Sequence, residues 1–264
     1  MRFQRALITG ASAGIGESFA EQLAAQGADL VLVARRAERL AELAGRLRRL
    51  HNVEVEVLPA DLADAAQLRT VEERLRDESR PIDLLVNNAG IGETQPFADC
   101  PVDSEERTVR VNVLAPTRLC HAAISTMAKH DHGGIINVSS VAGQLLAFKN
   151  SATYGASKAY ISSLSESLRL EAKERRVAVS VTALCPGYVH TDMTADISLP
   201  AIAWVSREKV VRDALRGVAH NKPIVVPGLL YKAAVIATRL LPKAMVRPFA
   251  GDAPSDPSTA AVPA

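Results

Sequence analysis

The sequence has few cysteines, and their arrangement excludes a disulfide scaffold. Cys100, Cys120 and Cys185 are an odd number, and none belongs to a Cys-x-x-Cys pair. We therefore expect a reducing, cytoplasmic environment and no zinc site. The stretch HDH at residues 130–132 resembles part of a metal cluster, but it lies in a polar turn before two glycines and has no further ligand spacing. We predict a solvated loop there and no metal site.

The sequence also lacks long apolar runs and an excess of charge. No apolar stretch reaches the roughly 18 residues of a membrane span, and the N-terminal run is too short for a signal peptide. Lys plus Arg number 31 and Asp plus Glu number 29, giving a formal net charge of +2. A dedicated nucleic-acid binder needs a basic excess to contact phosphates. We expect neither nucleic-acid binding nor insertion into a membrane.

Short apolar runs alternate with longer segments of helical periodicity. The runs predict seven strands, at residues 5–8, 30–33, 53–58, 83–86, 134–138, 178–182 and 224–226. Several, such as VLVA, are apolar at consecutive positions, which is typical of parallel strands buried on both faces. In the helical segment 37–50, a stripe of leucines is predicted to face the core: Leu40, Leu43, Leu47 and Leu50.

This alternation predicts an α/β fold, a doubly wound parallel sheet of seven strands in a single domain. No linker or repeat interrupts the chain before about residue 250, so we assign residues 1–250 to this one domain. Residues 251–264 are mostly Pro, Ser and Ala, with little to bury. We predict a disordered tail there.

The first predicted strand runs directly into a glycine-rich turn, TGASAGIG at residues 9–16, and a helical pattern follows. Free backbone N–H groups at a helix N-terminus favour an anion, and glycines let a phosphate approach closely. The turn therefore predicts a dinucleotide site, although glycines alone could mark any tight turn.

The end of the second predicted strand indicates which dinucleotide binds. A free ribose 2′-hydroxyl calls for an acid here, whereas a 2′-phosphate calls for a guanidinium. Ala34 supplies no acid, and Arg35 and Arg36 supply fork-shaped donors. This pattern favours NADP(H), with the alternative that the two arginines only begin a solvated, Arg-rich helix.

A tyrosine, a lysine and two serines are candidates for proton transfer. Tyr154 and Lys158 are four residues apart, so on a helix they project from the same side. An ammonium beside a phenol should lower the pKa of the tyrosine and make it a general acid or base. Ser139 and Ser140 end the fifth predicted strand, where a hydroxyl can donate to a substrate oxygen as negative charge develops. The Tyr–Lys spacing alone is weak, because it also arises by chance in helices.

Four motifs together resemble the short-chain dehydrogenase/reductase family, over residues 5 to about 228: the glycine spacing, NNAG at 87–90, YGASK at 154–158 and PGYVHT at 186–191. The resemblance implies that residues 1–250 form a Rossmann-like, NAD(P)-binding oxidoreductase domain. The resemblance implies a catalytic set of Asn112, Ser140, Tyr154 and Lys158. Ser140 is preferred over Ser139 because it directly precedes the V-x-G stretch, and Ser139 would lie nearer the cofactor. Asn112 would break its helix and hold a water in a proton relay to the lysine, although a satisfied polar residue in a helix is the simpler interpretation.

The resemblance also implies a set of cofactor contacts. Asp61 would contact the adenine, and the Val189 backbone and the Thr191 hydroxyl would hold the carboxamide. The full predicted set is Thr9, Gly10, Ser12, Gly14, Ile15, Gly16, Arg35, Arg36, Asp61, Leu62, Asn88, Ala89, Gly90, Tyr154, Lys158, Pro186, Gly187, Val189 and Thr191.

The expected function is an NADP(H)-dependent oxidoreductase that interconverts a carbonyl and a secondary alcohol on a small molecule. An apolar stretch at residues 188–205 matches the family's mobile substrate lid and favours an apolar substrate. A different class remains open, an NADP(H)-binding sensor or interaction protein without relevant turnover. The resemblance implies a homodimer or homotetramer through helices at 105–130 and 152–175.

The C-terminal segment 229–247 leaves another alternative open, a reductase that acts on lipids at a membrane surface. Its cations would fall within one quadrant of a helix: Lys232, Arg239, Lys243 and Arg247. Such a helix could make weak contact with an anionic membrane. The preferred interpretation is a helix packed on its own body or on a subunit partner, kinked or ended by Pro242.

Overall fold

A computed structural model of the protein describes residues 3–144, 150–195 and 197–240. Its centre is a parallel sheet of seven strands in the order β3-β2-β1-β4-β5-β6-β7. The strands are β1 Arg5–Thr9, β2 Asp29–Ala34, β3 Val55–Pro59, β4 Leu84–Asn87, β5 Gly133–Val138, β6 Val179–Leu184 and β7 Ile224–Val225. All seven predicted strands are present, and β3 begins two residues later than predicted.

Eight α-helices cover the sheet within the described residues. They are α1 Gly14–Ala24, α2 Ala37–His51, α3 Ala65–Arg76, α4 Val102–Val109, α5 Ala115–Lys129, α6 Ala152–Glu174, α7 Arg207–Ala219 and α8 Leu229–Leu240. Neighbouring residues of one strand point to opposite faces: Ile8 of β1 packs with α1, α2 and α7, whereas Leu7 packs with α3 and α5. The predicted doubly wound, Rossmann-like single domain is therefore confirmed.

The predicted leucine stripe of α2 is wrong at its last position. Leu40, Leu43 and Leu47 are buried, but Leu50 is 67% exposed. At 100° per residue, ten residues turn Leu50 about 80° away from Leu40. Ala44 lies on the core face instead and is fully buried.

The strand order reverses beside β1, which lies between β2 and β4. In a doubly wound sheet, the loops that leave the carboxyl ends of such neighbouring strands diverge and open a crevice. The glycine turn leaves β1 at Gly10, and Asn88 follows β4. Both predicted motifs therefore lie at the same edge of the sheet.

The C-terminal helix α8 is only partly packed. Val235 is buried and Tyr231 packs against the core, whereas Leu229, Leu230 and Ile236 are each more than half exposed. The predicted tail and three residues of the predicted basic segment lie outside the described residues: Pro242, Lys243 and Arg247. In the described part of the chain, no helix is long and apolar enough to cross a membrane.

Candidate active site

A cleft of about 430 Å³ opens at the carboxyl ends of the strands. Most of the residues predicted to bind the cofactor or to take part in catalysis line it. It is lined by Gly10, Ser12, Gly14, Ile15, Arg35, Arg36, Asp61, Leu62, Asn88, Ala89, Gly90, Ser140, Tyr154, Lys158, Pro186, Gly187, Val189 and Thr191. Three other predicted residues support its walls, and these are Thr9, Gly16 and Asn112. Further lining residues were not among the predicted contacts, including Arg107 and Asp192. Met193, within the predicted lid segment, lines the cleft as well.

Thr9 joins the ends of β1 and β4 beneath the cleft. Its Oγ1 donates to the Val86 carbonyl at 3.3 Å and accepts from the amides of Asn88 and Ala89, each at 3.0 Å. The side-chain Nδ2 of Asn88 in turn donates to the carbonyls of Thr9 and Gly10. The predicted contact residues Thr9 and Asn88 therefore fix the shape of the glycine turn.

The glycine turn has the shape needed to receive an anion. Gly10 and Gly14 have φ values of +65° and +60°, which favour glycine. A Cβ on Gly16 would lie 2.2 Å from the Gly10 carbonyl oxygen, so the turn and helix can approach this closely only without one. Ala13, the N-terminal cap residue of α1, makes no side-chain hydrogen bond to the first turn. The N–H groups of this turn can therefore bind phosphate oxygens, and the residues fit a dinucleotide's pyrophosphate.

The two arginines after β2 differ in their surroundings. Arg36 donates from Nε and Nη2 to Ser12 Oγ at 3.2 and 3.1 Å. Its Nη1 lies 3.2 Å from the Asp192 carboxylate. Arg35 is exposed at the rim of the cleft, where its charge helps to lower the pKa of Asp61.

Asp61, the predicted adenine contact, already has a charged partner. Its carboxylate lies 2.6 Å from Nη2 of Arg107 and also accepts from the Ala63 amide. Burial raises the pKa of Asp61, but the hydrogen bonds from Arg107 and Ala63 outweigh it, so the pKa lies below its usual value. Arg107 comes from α4, 46 residues away, and no local pattern around Asp61 indicates it.

Tyr154 and Lys158 lie one turn apart near the start of α6. Lys158 Nζ donates to the Val138 carbonyl at 2.9 Å, and its side chain is buried. Burial lowers the pKa of Lys158 to about 8, with a smaller opposing effect of Cys185. Burial raises the pKa of Tyr154, and a hydrogen bond with Ser140 opposes this only partly. The predicted lowering of the Tyr154 pKa by Lys158 is therefore wrong, because burial of the phenol dominates.

The two candidate serines have different partners. Ser139 Oγ donates to the Lys158 carbonyl at 2.7 Å and lies 2.8 Å from Ser162 Oγ, so its hydroxyl holds α6 against β5. Ser140 Oγ accepts from the Ala142 amide and lies within hydrogen-bonding reach of Tyr154. The structure thus places the Ser140 hydroxyl beside the phenol and directs that of Ser139 toward α6.

Asn112 lies in a π-helical turn, Arg110–Leu114, that separates α4 from α5. The predicted break in the helix is present. Asn112 Nδ2 donates to the Ile91 carbonyl at 2.7 Å and to Ser157 Oγ at 3.0 Å, while Asn112 Oδ1 accepts from the Ile91 amide at 2.9 Å. These contacts join the loop after β4 to α6. The predicted water and proton relay stay a prediction.

Tyr231 of α8 fastens the predicted lid segment at its two ends. Its hydroxyl accepts from the Tyr188 amide at 3.2 Å and donates to the Ala203 carbonyl. Its ring covers Gly187, where a Cβ would lie 2.1 Å from Cε2. The Val205 amide also donates to the Tyr188 carbonyl, at 2.9 Å. The segment is therefore closed at its base, beside the cleft.

The His130-Asp131-His132 stretch forms a turn. Asp131 has a φ of +47°, and its carboxylate accepts from the Ala178 amide at 2.7 Å. Across residues 3–144, 150–195 and 197–240, no group of three or more His, Cys, Asp or Glu side chains is placed to hold a metal ion.

The comparison with protein families agrees with this geometry. A family model described as "short chain dehydrogenase" matches residues 4–201. The chain belongs to the short-chain dehydrogenase family. An uncharacterized oxidoreductase from Mycobacterium tuberculosis is 37% identical over 193 residues, which cover 73% of this chain and 76% of that protein.

Two solved structures show the same family architecture. A short-chain dehydrogenase from Sphingobium yanoikuyae, solved in complex with NADPH, is 37% identical, with a TM-score of 0.81 over 89% of this chain and 93% of that one. A bulky-bulky ketone specific alcohol dehydrogenase from Comamonas testosteroni is 34% identical, with a TM-score of 0.78 over 92% and 97%. The chain is thus an oxidoreductase of the short-chain dehydrogenase family with the family's Rossmann-like fold.

Proposed function

We propose that the protein is an NADP(H)-dependent oxidoreductase that interconverts a carbonyl and a secondary alcohol on an apolar small molecule. The observation that carries this is the position of the Tyr154, Ser140 and Lys158 side chains in the same cleft as the anion-binding glycine turn. A dinucleotide in that turn would extend along the cleft toward Tyr154. A bound nicotinamide cofactor supplies the hydride for such a reaction.

The protein residues in this proposal polarise the carbonyl and deliver a proton. Ser140 Oγ donates a hydrogen bond to the substrate oxygen, which gains negative charge as the carbon receives the hydride. Tyr154 gives its proton to that oxygen, and an alcohol results. Burial raises the pKa of Tyr154, so the phenol is protonated at neutral pH and suited to reduction. The nearby Lys158 ammonium stabilises the phenolate that remains.

The charges at the rim of the cleft support NADP(H) as the cofactor. Arg36 and Ser12 are joined by two hydrogen bonds, and Arg35 stands exposed beside them. Together they offer guanidinium and hydroxyl donors to a phosphate, and Ala34 offers no acid for a free 2′-hydroxyl. The relative from Sphingobium yanoikuyae, solved with NADPH, agrees with this choice.

The lid segment supports an apolar substrate. Met193 lines the cleft and is 54% exposed, so it can contact a bound molecule. Trp204 stacks on His190 with 3.7 Å between the ring centroids, and its indole N–H donates to the Leu199 carbonyl. The segment therefore contains a pair of packed aromatic rings. The relative from Comamonas testosteroni, named for bulky ketones, is consistent with a ketone substrate.

The exposed apolar residues near α5 and on α6 support self-association. Leu114, Tyr160 and Leu170 are each at least 40% exposed, although large apolar side chains usually pack. We propose a homodimer or homotetramer through these helices. Light scattering coupled to size-exclusion chromatography would give the mass, and a strict monomer at micromolar concentration would contradict it.

The function is tested by following oxidation of NADPH and, in parallel, NADH with a panel of apolar ketones, aldehydes and diketones. Turnover that prefers NADPH supports the proposal. NADPH binding without turnover on any member would favour the alternative of a cofactor-binding sensor. A preference for NADH would contradict the assigned role of Arg35 and Arg36.

A further inference from the structure

Arg36 has partners on two sides of the cleft. Its Nε and Nη2 bond to Ser12 in the glycine turn, and its Nη1 lies 3.2 Å from the Asp192 carboxylate. Arg39 lies 3.8 Å from the same carboxylate. Asp192 is therefore the acidic partner of two arginines on the segment that begins α2.

Asp192 comes from the opposite wall of the cleft. It directly follows Thr191 and begins a short helical turn, Asp192–Thr194, within the lid segment. Both Asp192 and Arg36 line the cleft. The ion pair thus connects the cofactor-specificity arginine to the lid, across the opening through which a dinucleotide would enter.

We propose that Asp192 and the 2′-phosphate of the cofactor compete for Arg36, so that Asp192 is a determinant of NADP(H) affinity. This inference rests on the proposed NADP(H) dependence. A phosphate is recognised best by two donors of one guanidinium, and Nη1 is engaged by Asp192. The carboxylate would also repel a phosphate placed beside Arg36. Binding of NADP(H) therefore exchanges Asp192 for phosphate on Arg36, whereas NAD(H), with no 2′-phosphate, leaves the pair intact.

The exposure of the pair sets the expected size of the effect. The Arg36 and Asp192 side chains are 42% and 69% exposed. Exposed ion pairs are weak because water screens them, so removing this one should change affinity by about two- to five-fold. A modest competitor of this kind moderates cofactor affinity and favours release of the spent cofactor, a step that often limits turnover.

The test is Asp192→Asn, which removes the charge and keeps the shape. Dissociation constants for NADPH, NADH, 2′,5′-ADP and 5′-AMP are measured by titration calorimetry on wild type and variant. We expect NADPH and 2′,5′-ADP to bind about two- to five-fold more tightly to the variant, with NADH and 5′-AMP unchanged. Unchanged or weaker binding of the two 2′-phosphorylated ligands would overturn the proposal.

Two further variants make the result specific. Glu21→Gln removes another exposed carboxylate, which pairs with Arg46 of α2, 2.8 Å away, and should leave all four constants unchanged. In Arg36→Gln, addition of Asp192→Asn should tighten NADPH binding less than it does in wild type, because only the direct repulsion of the phosphate is then removed. Tightening as large as in wild type would contradict competition for this guanidinium. If wild type binds NADPH no more tightly than NADH, the proposed cofactor itself fails. If wild type prefers NADPH but Asp192→Asn does not bind NADPH more tightly, only the proposed competition for Arg36 fails.

Discussion

Lys158 Nζ lies 5.5 Å from the centroid of the Tyr154 ring, one turn along the same helix. The Val138 carbonyl fixes the ammonium in this position. Lys158 is buried and Tyr154 is half-buried, so water only partly screens the charge of the ammonium at the phenol. The protonation of this pair is therefore the quantity on which the proposed chemistry depends.

The reduction rate should fall as the pH rises through about 8. Burial depresses the pKa of Lys158 from 10.5 to about 8, so the ammonium is mostly charged below that pH and loses its charge progressively above it. Tyr154 has a raised pKa and remains protonated over the same range. The measurement is kcat/KM for NADPH-dependent reduction against pH, because this ratio reports the free enzyme.

Lys158→Arg provides the control for the pH profile. A guanidinium stays charged throughout, so the residual activity should no longer fall near pH 8. A wild-type profile that stays level beyond that pH, or a fall at the same pH in the variant, would show that Lys158 does not control the reaction.

Substitution of the two serines should have different effects, mainly on activity at Ser140 and mainly on stability at Ser139. Ser140→Ala should lower kcat by about 10²-fold, because it removes a donor to the developing oxyanion. Its loss of the half-buried bond from the Ala142 amide should cost less stability than Ser139→Ala. Ser139→Ala should retain more activity but lose about 1 kcal/mol of stability, since it removes buried bonds to the Lys158 carbonyl and Ser162. Kinetics and thermal denaturation of both variants check this. The assignment is wrong if Ser139→Ala is the inactive variant and Ser140→Ala the unstable one.

Gly16→Ala should abolish cofactor binding and destabilise the protein. The new methyl would lie 2.2 Å from the Gly10 carbonyl and 2.6 Å from Asn88 Nδ2, so the turn would have to open. We expect a loss of about 1–3 kcal/mol, the usual cost of overpacking. NADPH titration and thermal denaturation provide the readouts.

Gly45→Ala is the matched control for this variant. Gly45 lies within α2, and a Cβ there meets only the end of Arg49 at 3.4 Å. In a helix interior this change should stabilise by about 0.5–1 kcal/mol and leave NADPH binding intact. Equal loss of binding in both variants would mean that the close packing at Gly16 is not what the cofactor requires.

The elements that the sequence predicts well are those with local causes. Each strand carries its own apolar run, and the glycine turn follows its strand directly. Tyr154 and Lys158 share one helix, so their proximity follows from helix geometry alone. These local features are enough to predict the fold and the resemblance to the family.

The features that the sequence does not predict depend on distant segments. Arg36 and Asp192 are 156 residues apart, and Tyr231 meets Tyr188 across 43 residues. The pKa of Tyr154 was predicted in the wrong direction because burial depends on the whole fold, whereas the effect of a neighbouring lysine can be read from spacing. Leu50 was assigned to the core because four leucines near helical spacing suggest a stripe, although the last has rotated away from it.

The most direct test of the central claim compares Tyr154→Phe with Tyr160→Phe. Both tyrosines lie on α6, but Tyr160 is 40% exposed and bonds to Thr117 at 3.0 Å, away from the cleft. NADPH-dependent reduction is measured together with NADPH affinity. We predict that Tyr154→Phe binds NADPH but loses turnover by at least about 10²-fold, while Tyr160→Phe keeps both. Turnover by Tyr154→Phe at the wild-type rate would contradict the account, because the proton donor would then be another group.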